Sequence, residues 1–274
     1  MSMNSIETTL TKNHKQENFP VGSWLLSKEI RPQILVFYKF ARAADDIADS
    51  PNLSKNEKIK RLDLFKKAIK SKKGRVPKAN DLRKICKKNK IKINHALNLL
   101  KAFKQDAVKK RYKNWTELIN YCKYSATPVG RFVIDLHKEK KTSYKYSDPL
   151  CIALQILNHI QDCKEDYNKI DRVYLPNNFL KKYNVKLSQL KKNFTTQNLR
   201  LVFNEILKNT EKLIIEADKN KEKMKHKYLS RETSFILEIA KKLLLLLKNK
   251  DPLKEKIVLN KLDYICCFAK GLKI

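Results

Sequence analysis

Residues 30 to 49, IRPQILVFYKFARAADDIAD, are apolar on nearly every side until a run of aspartates closes them. That is the pattern of a helix buried inside a large bundle, with Pro32 fitting its first turn and Asp49-Ser-Pro51 ending it. Apolar positions at helical spacing predict a second helix over 53–72, before Gly74 and Pro77 interrupt the chain. Further helices are predicted at 79–88, 93–109 and 114–125. Pro128 and Gly130 predict a bend or interruption in the stretch from Thr127 to Leu136. A second strongly apolar helix is predicted over 148–168, opened by Asp148-Pro149 as cap and first-turn pair and ending in acidic residues. Helical patterning returns at 187–192, 196–222, 230–249 and 252–269. The class is all-α. No repeat and no low-complexity linker divides the chain, so one domain over 1–274 is expected.

Composition narrows the chemistry. The 274 residues include only 4 glycines, too far apart for any two to share a phosphate-cradling loop, and neither a GxGxxG nor a Walker A string occurs. The same scarcity opposes a β-rich or doubly wound fold, which needs glycine at its tight turns. The 6 cysteines include no CxxC pair and are expected to be reduced core thiols of a cytosolic protein. The most hydrophobic stretch, Phe235 to Leu247, is interrupted by charges and is too short to cross a bilayer. The net charge of +33 suggests an anionic partner, but the basic residues are mostly lysine and run through nearly every segment. A nucleic-acid reader favours arginine gathered on one face. A solvated lysine coat is the simpler reading, and no nucleic acid is expected.

The informative residues carry the minority sign. Two separate apolar helices each end in paired aspartates, at Asp45, Asp46 and Asp49, and at Asp162 and Asp166. Tyr38, Arg42, Asp45 and Asp49 fall at offsets 0, 4, 7 and 11, and Gln155, Asn158, Asp162 and Asp166 at 0, 3, 7 and 11. Each set makes one polar stripe on a helix whose neighbouring residues require burial. Buried carboxylates need cations. If the helices pack antiparallel, the carboxylates converge on one cavity, an all-oxygen arrangement that suits Mg²⁺ rather than Zn²⁺ and lets substrate phosphates complete the metal's shell. His159, on the second apolar helix, reads as a hydrogen-bonded core residue.

The stretches YKFARAADDIAD and QILNHIQDCKEDYNKIDRVYLP resemble the two aspartate-rich motifs of the head-to-head prenyl synthases, the squalene/phytoene synthase family. With ENFPVGSWLL at 17–26 and YCKYSATPVGR at 121–131, the likeness spans residues 17 to 176 and is greatest to the bacterial hydroxysqualene synthases of the hopanoid pathway. The resemblance implies an isoprenoid synthase bundle with a central cavity. It implies Mg²⁺ on Asp45, Asp49, Asp162 and Asp166, with Asp46 and Asn158 beside them. Tyr38, Arg42, Gln155, Arg172 and Tyr174 would hold diphosphate or shape a cation pocket; Phe19 and Tyr121 would offer aromatic faces, and Gln161 would contact substrate.

Two departures bear on the reaction. The squalene and phytoene synthases carry Arg-Asp where this chain has Gln161-Asp162, and a basic or hydroxylic residue where it has Glu17-Asn18-Phe19. Both fit an enzyme that handles one diphosphate. The implied reaction is ionisation of presqualene diphosphate, a carbon-oxygen lyase step followed by rearrangement and water capture to hydroxysqualene. The alternative is condensation of two prenyl diphosphates to presqualene diphosphate, squalene or phytoene. An upstream presqualene diphosphate synthase, a downstream hydroxysqualene-reducing flavoprotein and peripheral contact with an anionic membrane from the cytoplasmic side are implied alongside.

Overall fold

The computed structural model describes residues 6, 23, 25–71, 74–219 and 224–272. Phe19, with Glu17 and Asn18, lies outside them. The described chain forms twelve α-helices: α1 (Arg31–Asp49), α2 (Lys55–Lys70), α3 (Pro77–Asn89), α4 (Asn94–Asp106), α5 (Trp115–Ser125), α6 (Thr127–Leu136), α7 (Tyr144–Gln161), α8 (Cys163–Ile170), α9 (Asn177–Lys182), α10 (Gln197–Asp218), α11 (Lys227–Asn249) and α12 (Lys261–Gly271). Short 3-10 turns cover Lys141–Ser143 and Leu187–Lys191.

Local chemistry sets many of the boundaries. Ser54 and Asn114 accept hydrogen bonds from the backbone N–H of Glu57 and Glu117, capping α2 and α5, and Asn260 and Asp263 form a reciprocal capping box on α12. The interruption expected around Pro128 is confined to Ala126, which turns the chain between α5 and α6. From Thr127 to Leu136 the chain is helical, with Pro128 in the first turn where its missing N–H costs nothing.

Three expectations are corrected. Asp148-Pro149 does not open its helix: α7 begins at Tyr144, and Pro149 lies inside it. The Asp148 carboxylate accepts from Arg131 Nε of α6 at 2.8 Å, while Tyr146 donates its hydroxyl to Ser143 Oγ at 2.8 Å in the preceding turn. The expected helix over 148–168 is divided at Asp162 into α7 and α8. The helix expected over 252–269 starts only at Lys261, at its capping box.

Two apolar clusters form the core. One joins residues of α1, α2, α3, α4 and α6, and the other joins residues of α5, α7, α9, α10 and α11. Gly130 brings α6 against α7 so closely that a Cβ there would lie 2.1 Å from Ser147 Oγ and 2.7 Å from Cys151 Sγ. The chain after α8 runs extended beside the α4–α5 loop. Val173 N–H donates to Lys110 O at 2.9 Å and Asn177 N–H to Tyr112 O at 2.9 Å. With a period of two, Arg172 and Tyr174 share the opposite side of this segment from Val173. No helix of the described residues is long and apolar enough to cross a membrane.

Candidate active site

A cavity of about 720 Å³ lies between α1 on one side and α7 and α8 on the other. From α1 it receives Ile34, Phe37, Tyr38, Ala41, Arg42, Asp45, Asp46 and Asp49, a stripe at helical spacing; from α7 come Gln155, Asn158, His159 and Asp162, and from α8 Asp166. Tyr121, Arg172 and Tyr174 complete the wall. The two acidic stripes of the sequence therefore face one space.

The carboxylates are not equivalent. Asp46 is the counter-ion of Arg42, whose Nε and Nη2 lie 2.9 and 2.6 Å from its Oδ1, and its side chain is almost wholly buried. Arg42 also reaches Asp45 Oδ2 at 3.1 Å. Burial, reinforced by the neighbouring charge of Asp49, nevertheless pushes the Asp45 carboxyl well above its ordinary range. Across the cavity, burial together with the charges of Asp162 and Asp49 pushes Asp166 up to about 8. Asp49 thus acts electrostatically on both helices.

Arg172 ties the far end together. It donates to Asp49 Oδ1 at 2.6 Å, to the backbone carbonyl of Asp106 at 2.9 Å and to Tyr174 Oη at 3.2 Å. Asp106 accepts from Tyr121 Oη at 2.6 Å and Tyr174 Oη at 3.1 Å, and burial raises its carboxyl to about 7 although Arg172 opposes the shift. The rings of Tyr112, Tyr121 and Tyr174 meet at centroid distances of 5.3–5.4 Å. His159 stacks on Tyr174 with centroids 3.5 Å apart, and burial lowers its pKa to about 3, leaving it neutral. The core role expected for His159 is observed, though its ring also borders the cavity.

Asp106 and Tyr112 escaped sequence reading. Their only signal is that Asp106 continues the buried face of α4 through Leu99, Ala102 and Phe103, where a carboxylate is out of place. Gln161 requires the opposite correction. It does not line the cavity, because it sits about 100° around α7 from Asp162 and its amide nitrogen donates to the Ile257 carbonyl.

A second, apolar chamber of about 170 Å³ adjoins the first. Ile34, Ser125, Val129, Val133 and Gln155 border both. Beyond them it is walled by residues such as Leu26, Leu150, Leu154 and Ile236, with one buried acid, Glu232. The first space is charged and oxygen-rich and the second greasy.

Whether the charged end suits a divalent cation turns on its donors. Among the described residues no three carboxylate, histidine or cysteine side chains form a ready metal cage. The donors are facing pairs of carboxylates, and burial with neighbouring negative charge raises Asp45 and Asp166 above the ordinary carboxyl range, a cost that a bound cation would relieve. Such a set fits Mg²⁺, which binds through one or two carboxylates and keeps positions for water and phosphate oxygens.

Comparison with known proteins agrees with this architecture. The squalene/phytoene synthase family model matches residues 12–263. The chain is 38% identical to a hydroxysqualene synthase of Rhodopseudomonas palustris over 93% of this chain and 87% of that one. It is 35% identical to a hydroxysqualene synthase of Zymomonas mobilis over 95% and 89% of the two chains. The fold superposes on a squalene synthase from Alicyclobacillus acidocaldarius with a TM-score of 0.73 at 24% identity, covering 82% of this chain and 85% of that one. With two aspartate-bearing helices facing one cavity and sequence likeness running nearly from end to end, the chain belongs to the squalene/phytoene synthase family of enzymes.

Proposed function

We propose that this enzyme ionises presqualene diphosphate and lets water capture the rearranged carbocation, releasing hydroxysqualene and diphosphate. The observation that carries the reading is the adjacency of a carboxylate- and arginine-lined cavity and an apolar chamber that share five lining residues. An amphiphile with a single diphosphate head matches that pairing. The names of the relatives at 35–38% identity point the same way.

In this reading the whole chain acts as one domain. Arg42, braced by Asp46, and Arg172, braced by Asp49 and the Asp106 carbonyl, bind the diphosphate and stabilise the charge it gains as the carbon–oxygen bond breaks. Asp45, Asp49, Asp162 and Asp166 would hold Mg²⁺, whose chemistry there is charge neutralisation of a diphosphate leaving group. Tyr38 and Tyr121, which line the cavity, would offer π-faces to the cation, while Tyr174, stacked on His159, would shape its wall. His159, being neutral, adds no opposing positive charge beside it. The aliphatic residues of the second chamber enclose the hydrocarbon chain and exclude bulk water.

The test is incubation of the purified protein and Mg²⁺ with presqualene diphosphate and, separately, with farnesyl diphosphate, identifying the lipid by mass spectrometry. Hydroxysqualene from the first and no condensation product from the second are expected. A C30 condensation product from farnesyl diphosphate would overturn the reading. Asp45→Asn and Asp162→Asn should each abolish Mg²⁺-dependent diphosphate release with helical circular dichroism unchanged; full activity in both would sink the mechanism.

A further inference from the structure

Five residues line both chambers, Ile34, Val129, Val133, Ser125 and Gln155, of which only the last two are polar. Ser125 is the last residue of α5, and its Oγ is buried without a hydrogen-bond partner among the described residues. A hydroxyl near a helix end ordinarily satisfies itself by donating to the carbonyl four residues back. Thr127, two positions on, does so, reaching Lys123 O at 2.8 Å. Ser125 does not. Gln155, which lines the same two chambers, has its amide nitrogen 3.3 Å from His159 Nε2, which leaves its carbonyl oxygen for another partner.

A buried hydroxyl without a partner is costly, and a water molecule is the usual remedy where a cavity offers two or more polar groups. Resting on the reaction proposed above, we infer that this shared boundary is the water site: Ser125 Oγ and the Gln155 carbonyl position the water that captures the carbocation. The water donates one hydrogen to each, so its oxygen lone pairs face the apolar side chains. A lone pair then forms the carbon–oxygen bond at the cationic carbon. The proton lost from the resulting oxonium passes to the departed diphosphate, a base that the reaction itself supplies. Atoms and charge balance, with one water consumed per diphosphate released. The two hydrogen-bonding groups stand among aliphatic side chains, so one oriented water is admitted where bulk solvent is not.

The readout is the partition of products, which does not depend on how fast the variant turns over. Full-length wild type, Ser125→Val, Ser125→Ala and Ser125→Thr are incubated with Mg²⁺ and presqualene diphosphate in ¹⁸O-enriched water, and labelled alcohol is compared with hydrocarbon formed by proton loss. Removing the hydroxyl in Ser125→Val or Ser125→Ala should lower the ratio of alcohol to hydrocarbon by about tenfold, in line with a lost hydrogen bond to a reacting group, and Ser125→Thr should restore it. Diphosphate release with an unchanged alcohol fraction in both Val and Ala variants would overturn the water site and leave the reaction standing. Loss of all turnover in Ser125→Ala would make the hydroxyl structural and overturn it equally. Absence of diphosphate release by the wild type would overturn both readings together.

Discussion

Arg172 and Asp49 stand 123 positions apart in the sequence and form an ion pair 2.6 Å long at the charged end of the cavity. The pair fastens the segment after α8 to the last turn of α1, and the same guanidinium holds the Asp106 carbonyl and Tyr174. Arg172→Ala should therefore cost about 2–3 kcal/mol in urea unfolding, below the range for a fully buried pair because the Asp49 side chain is partly exposed, and remove diphosphate release. Arg172→Lys should recover part of the stability and little activity, because an ammonium cannot make the three directed bonds at once. Equal activity in the lysine variant would show that position 172 supplies charge alone.

Carboxylates that repel one another trade stability for function. Asp166 is raised to about 8 by burial and by Asp162 and Asp49, so as pH climbs from its ordinary value toward 8 the folded state retains a proton that the unfolded chain has lost. Stability falls across that window. In chelator-treated protein at pH 9, Asp166→Asn should be more stable than wild type by about 1 kcal/mol, with little difference at pH 4, while metal-dependent activity is lost. Thermal unfolding at the two pH values measures the difference.

Glu232 follows the same sign outside the charged end. Burial raises its carboxyl from near 4.5 to about 7, against the smaller opposing effects of Ser23 and Arg31, and its Oε2 has no hydrogen-bond partner among the described residues. Below pH 4.5 the acid is neutral in both states; between 4.5 and 7 the folded state loses stability, and above 7 the cost is constant. Glu232→Gln should stabilise the protein by about 3 kcal/mol more at pH 8 than at pH 4.5, measured by urea unfolding. A pH-independent difference would contradict the burial of this charge.

The surface offers a separate test. Leu262 and Ile265, one turn apart on α12, are 71% and 62% exposed, and Lys261 and Lys270 lie exposed on the same helix. Apolar residues flanked by lysine on a chain of net charge +33 suit an anionic bilayer, where the proposed substrate would reside. Sedimentation with phosphatidylserine vesicles should exceed that with neutral vesicles, weaken with salt, and fall by about tenfold in Leu262→Glu/Ile265→Glu.

The parts of the site visible in the sequence were those whose polarity conflicts with their own helix. Asp45, Asp49, Asp162 and Asp166 stand out because each ends an apolar run, and the spacing of the stripes places them on facing surfaces. Asp106 carries no such mark, being a single acid at the end of a lysine-containing helix; its role arises only when Arg172, Tyr121 and Tyr174 converge on it from other segments. Gln161 misleads for the complementary reason. Its residue type suited the cavity, but its angle on α7 aims it at the backbone of Ile257. α7 starts before Asp148, a good cap by type, whose carboxylate is instead engaged by Arg131 of another helix. In each case a partner distant in the chain decided what local pattern left open.

The extended stretch after α8 has a consequence for how the molecule matures. It reaches its place only by lying along the α4–α5 loop, some 60 residues earlier, and only there does Arg172 meet α1. Neither the first six helices nor the last six contain a complete binding end. Contacts of such long sequence separation are slow to form and come after the local helices. Recovery of catalysis during refolding should therefore trail recovery of helicity, and the two progress curves, followed in one sample, separate helix formation from closure of the active enzyme.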